Sequence, residues 1–121
     1  MNSLAILTMS QIKIDMNSPE FQKDLFNLEK SEQTSLIRTL RKISQLSWDQ
    51  LYKDKGLKWE AIISKKTKTD ERIYSFRFSQ KYRATAIRSG EFLRVLTLHV
   101  DHDGAYLGEP DLFFRLTSCP N

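Results

Sequence analysis

The segment His99-Val100-Asp101-His102-Asp103-Gly104-Ala105-Tyr106 gathers both histidines of the chain, two carboxylates and a tyrosine within eight residues. No other segment concentrates titratable groups in this way. Histidine changes charge near neutral pH and can carry protons in catalysis, and a tyrosine hydroxyl can donate to a phosphate oxygen. Such parts suit the cleavage of RNA by its own 2′-hydroxyl. That reaction needs a base for the hydroxyl proton, positive charge around the crowded phosphate, and an acid for the departing 5′-oxygen; no metal is obligatory. Preorganised arginines supply roughly 3 kcal/mol per well-placed donor, and proton transfer a further ~100-fold or more. Arg77, Arg83, His102 and Tyr106 are the candidates for these roles.

Strand periodicity supplies the arginines. Along Glu71 to Phe78, side-chain alternation sends Tyr74, Phe76 and Phe78 one way and Ile73, Ser75 and Arg77 the other. Along Lys81 to Arg88, Lys81, Arg83, Thr85 and Ile87 share a face, opposite Tyr82, Ala84, Ala86 and Arg88. A short hairpin between the two strands would bring Arg77 and Arg83 onto a common face as a phosphate clamp, because the planar guanidinium fork binds phosphate oxygens at two points and stays charged. The bland alternative is a solvated sheet face. Lys58, Lys81, Arg88, Glu60 and His99 are further candidates for RNA contact, with Glu60 read as either a base or an ion-pair partner. His99 competes with His102, although a histidine ending an apolar strand more often belongs to the core. A metal reading of His99, Asp101, His102 and Asp103 is weaker, since four ligand types at a strand end do not all point inward and no His-Glu-x-x-His spacing occurs. No metal and no cofactor is expected.

The elements that must position these residues are legible in the hydrophobic pattern. Gln11 to Asp15 alternates as a short strand, and Asn17-Ser18-Pro19-Glu20 supplies a cap, a proline for the first turn and an acid near the positive helix end. Phe21, Leu25 and Leu28, then Leu36, Ile37, Leu40, Ile43 and Leu46 after the cap candidate Ser31, predict a helical hairpin. Ser47-Trp48-Asp49-Gln50 reads as a capping box opening a further short helix, which Gly56 is expected to end in a left-handed turn. Trp48 is expected in the core. From there the pattern is strand-like over Lys58 to Ser64, Glu71 to Phe78, Lys81 to Arg88 and Phe92 to His99. The break from Lys65 to Asp70 reads as a flexible loop, whereas Ser79-Gln80 and Ser89-Gly90 suit tight hairpins. The predicted fold is α+β, an N-terminal strand and a helical hairpin packed on a twisted antiparallel sheet of about four strands, with the other sheet face left open.

A chain of 121 residues accommodates one domain, read as an N-terminal extension over residues 1–10 and a single domain over 11–121. The net charge of +4 favours polyanionic partners, and the stretch from Lys58 to Arg94 holds ten basic residues against only four acids. Cys119 is the one cysteine, which excludes an intrachain disulfide and fits a reducing cytoplasm. The apolar run Leu4 to Leu7 is far shorter than the ~18 residues of a membrane span, so neither export nor membrane insertion is expected.

Lys55-Gly56-Leu57-Lys58-Trp59-Glu60, Arg72 to Arg77, Lys81-Tyr82-Arg83-Ala84 and His102 to Tyr106, in this order of elements, resemble the RelE/ParE toxin superfamily of toxin–antitoxin systems over roughly residues 11 to 107. The resemblance implies a RelE-like toxin that cleaves mRNA, usually on the ribosome, without a metal, and so inhibits translation. It also implies that Arg77 and Arg83 hold the scissile phosphate, that His102 is the acid or base, and that Tyr106 assists the leaving group or stacks. Lys58 or Glu60 would complete the site. The His102 to Tyr106 spacing departs from members in which the two residues are adjacent. The ParE-like branch shares the fold but inhibits DNA gyrase without a nuclease site, and an inactive binding relative is a further alternative. Either branch implies a cognate antitoxin protein as partner.

Overall fold

The structure, a computed structural model, describes residues 10–100. Ser18 caps the first helix, α1 (Pro19–Asn27): its hydroxyl accepts from the Phe21 amide at 3.5 Å, and Pro19 occupies the first turn, where a missing N–H costs nothing. α2 (Lys30–Ile43) begins one residue before the Ser31 cap expected from sequence; Glu29 stands at its cap position and makes no side-chain cap bond. Ser47 and Gln50 form the expected capping box, opening α3 (Trp48–Lys53). α3 does not end on a left-handed glycine. Asp54 closes it in extended conformation, and it is Lys58, at φ 50°, that takes the left-handed turn into the sheet.

The strands are β1 (Lys13–Asp15), β2 (Glu60–Lys66), β3 (Arg72–Arg77), β4 (Tyr82–Ser89) and β5 (Phe92–Val100). They form one sheet in the order β1-β5-β4-β3-β2. The expected meander is present, but β1 adds a fifth strand, parallel to β5. Nothing local announces this pairing, because β1 meets a strand nearly eighty residues later in the chain. Gly90, at φ 62°, turns the β4–β5 hairpin, where Ser89 pairs with Phe92. The β2–β3 connection read as flexible is tied down: Thr67 and Thr69 both bond the Glu71 carboxylate, and the Thr67 amide donates to the Glu71 carbonyl.

The helices cover one sheet face. Phe21 from α1, Leu36, Leu40 and Ile43 from one side of α2, and Leu51 from α3 bury against Phe76, Ala84, Ala86, Leu93, Val95 and Leu98. Full burial of side chains such as Phe21 and Leu36 contributes about 2 to 3 kcal/mol each. Trp48 and Trp59 pack against this core, and Trp59 stacks on Tyr74 with ring centroids 4.8 Å apart. The opposite face carries a smaller apolar cluster of Ile62, Ile73, Ile87 and Leu96. No helix among the described residues is long and apolar enough to cross a membrane.

Asp54 organises the descent from α3 into the sheet. Its carboxylate accepts from the Leu57 amide at 3.0 Å and pairs with Lys42 of α2 at 2.9 Å. The Lys42 ammonium, more than the amide bonds, holds the carboxyl below its ordinary value of 3.8, against the opposing effect of burial. The stabilisation is therefore complete above that value and is lost as pH falls through the lower folded one. Asp54→Asn is expected to destabilise the chain by about 1 kcal/mol at neutral pH, a difference that shrinks as the pH falls below 3.8; urea unfolding of both proteins from neutral pH downward measures it.

Candidate functional site

On the open face, cross-strand pairing sets Arg77 of β3 directly opposite Arg83 of β4, and Arg83 directly opposite His99 of β5. The three residues form one rank across the sheet, as the alternation of side chains required for the two arginines. Arg83 is only 6% exposed. Its Nη2 donates to the Ser75 hydroxyl at 2.7 Å, to the Lys58 carbonyl at 3.0 Å and to the Glu60 carboxylate at 3.3 Å. Lys58 can present its carbonyl here because of its left-handed turn, and Glu60 because it pairs with Ser75 in the β2–β3 register. The buried Nε of Arg83 has no hydrogen-bond partner among the described residues.

This environment makes Arg83 a preorganised cation. Burying a guanidinium is costly unless it is paired and hydrogen-bonded, and Glu60, Ser75 and the Lys58 carbonyl meet that need. Half-buried Arg77 brings a second positive charge into register with it. An anion lying across both would accept from forked donors.

Next to the arginine rank lies a second polar row, Ser75, Thr85 and Thr97, at most 3% exposed, of which Thr97 is the member that strand alternation did not single out. Thr85 had been placed on the arginine face by alternation; what could not be read was its burial. Thr85 and Thr97 hydroxyls lie 2.6 Å apart, and Thr97 Oγ1 lies 2.6 Å from His99 Nε2. A β-bulge between Thr85 and Ala86 makes this possible, since it inserts Leu96 into β5 and leaves the Thr97 amide to donate to the Thr85 hydroxyl.

The remaining sequence candidates are distributed differently. Glu60 joins the site as the ion-pair partner of Arg83. Lys58 contributes its carbonyl, with an exposed side chain, and Lys81 is exposed in the β3–β4 turn. Arg88 is not with them. It emerges on the helix-covered side, with its guanidinium 4.4 Å from the Trp48 ring and bonded to the Tyr52 hydroxyl at 2.7 Å. His102 and Tyr106 lie outside the described residues. A cavity of about 610 Å³ at the β1 end of the sheet contains Arg94, but Asp15 and Glu71 also line it and neither rank arginine does.

No protein-family model matches the chain, and no curated protein matches it. Among solved structures, an archaeal RelE–RelB complex from Pyrococcus horikoshii contains a chain that aligns with a TM-score of 0.54 at 13% identity, covering 74% of this chain and 94% of that one. The chain has the RelE fold. A copper-bound mutant toxin from Helicobacter pylori aligns at 21% identity over 74% of this chain and 93% of that one, with a TM-score of 0.44. The RelE-like sheet leaves its uncovered face to the rank of Arg77, Arg83 and His99.

Ser75→Ala removes the shortest bond to the buried guanidinium. It is expected to cost about 1.5 to 3 kcal/mol of stability, read by chemical denaturation, while the exposed-side change Lys81→Ala stays within about 0.5 kcal/mol.

Proposed function

We propose that this chain is the toxin of a toxin–antitoxin pair and acts as a metal-independent endoribonuclease that cuts mRNA, on the ribosome, and so halts translation in the cytoplasm. The observation that carries the reading is the Arg77–Arg83 rank on the uncovered face of a RelE-like sheet, with Arg83 buried and fixed before any ligand arrives. A site of this kind contributes positioning and charge rather than covalent chemistry.

In this reading the scissile phosphate lies across Arg77 and Arg83, which stabilise the added negative charge as the 2′-oxygen attacks phosphorus. A base takes the 2′-hydroxyl proton, the bond to the 5′-oxygen breaks, and an acid protonates that oxygen, leaving a 2′,3′-cyclic phosphate. His102 is the proposed acid or base and Tyr106 the group assisting departure of the 5′-oxygen, with Lys58, Lys81 and Glu60 at the edge of the RNA path. The Pyrococcus horikoshii chain was solved with RelB, which supports a protein antitoxin as the partner here.

Induced expression in bacteria of the wild type, Arg77→Ala and His102→Ala tests the reading, with growth, translation and primer extension of mRNA followed together. The wild type is expected to arrest growth and create new mRNA 5′ ends, and both variants to lose at least about 100-fold of the cleavage. Growth arrest with intact mRNA overturns the nuclease reading in favour of a gyrase-directed toxin, and absence of arrest favours an inactive binding relative.

A further inference from the structure

Both histidines of the chain were candidates for proton transfer, and the hydrogen-bond arithmetic around His99 separates them. Thr85 is 2% exposed, and its hydroxyl oxygen contacts two polar groups among the described residues, the Thr97 amide at 3.1 Å and the Thr97 hydroxyl at 2.6 Å. The amide can only donate. The hydrogen of the Thr85 hydroxyl is then satisfied only by the Thr97 oxygen. Thr97, 1% exposed, must pass its own hydroxyl hydrogen onward, and the acceptor in reach is His99 Nε2 at 2.6 Å. A nitrogen that accepts carries no proton, so the ring proton sits on Nδ1.

We propose that Thr85 and Thr97 are positioning residues that hold His99 as the neutral Nδ1–H tautomer, which makes His99 an oriented hydrogen-bond donor of the open face and not the proton-transfer group. Placing a proton on Nε2 reverses the whole chain of bonds and leaves a buried Thr85 hydroxyl hydrogen without an acceptor. Arg83, paired with Glu60 at 3.3 Å, faces His99 from β4, and Arg77 lies one strand further. Asp24, from α1, accepts from the Leu98 amide, while Asp101 and His102 follow in sequence. The inference rests on the nuclease reading only for what it says about the reaction, where it assigns proton transfer away from His99.

Long-range ¹H–¹⁵N spectra of the full chain labelled on histidine, with His102→Ala used to assign His99, test the tautomer without any activity. At pH 7.5 the wild type is expected to show His99 protonated at Nδ1 and accepting at Nε2. Thr97→Val is expected to shift the ring towards the Nε2–H form, and Thr97→Ser to restore the wild-type pattern. A wild-type His99 protonated at Nε2, or a pattern unmoved by Thr97→Val, overturns the proposal whether or not the chain cuts RNA.

Discussion

A guanidinium buried beneath an open sheet face has to be surrounded by acceptors, and most of the local architecture around β2, β3 and β4 follows from meeting that demand for Arg83. Lys58 and Glu60 at the entry to β2 and Ser75 on β3 come from two separate stretches of the chain and converge on one nitrogen. Their convergence depends on the β2–β3 register, on the left-handed backbone at Lys58 and on the hold that Asp54 has on Leu57, the residue just before it. Replacing one acceptor leaves a largely buried charge short of partners, so the site and the fold share their weak point.

The division of the sheet into two faces explains why the charge collects where it does. The helices pack on one face against apolar side chains of β3, β4 and β5. The other holds a small apolar cluster, then the hydroxyl row, then the rank of Arg77, Arg83 and His99. Arg88 follows Ile87 by one residue and so falls on the opposite side, where stacking on Trp48 makes it part of the packing around α3. Alternation by single residues thus decides which cations belong to the site.

Much of this was legible in the sequence because it is local. The Ser18 and Ser47 caps, the apolar stripe of α2 and the strand alternation that pairs Arg77 with Arg83 are all set by neighbours within a few residues. Features that depend on distant partners were not legible. β1 reads as a strand but gives no sign of running parallel beside β5, and Gly56 looked like a helix terminator until Lys58 took the left-handed conformation instead. Nor does the sequence announce that Arg83 is buried, since an arginine between Tyr82 and Ala84 reads as a surface residue until Ser75 and Glu60 arrive from other strands. The bulge at Leu96, which turns two threonines into a relay, is likewise a property of the β4–β5 register.

If the proposed function holds, the open face, and not the Arg88 side, binds the RNA phosphates. The decisive measurement is fluorescence anisotropy of a 2′-O-methyl oligoribonucleotide, which binds without being cut, followed against salt for the wild type, Arg77→Ala and Arg88→Ala. Arg77→Ala is expected to weaken binding and lower the magnitude of the salt slope by about 0.7 to 1, the loss of one phosphate contact, while Arg88→Ala keeps the wild-type slope. A slope reduced by Arg88→Ala and unchanged by Arg77→Ala would place the RNA on the other side of the sheet and overturn the proposed site.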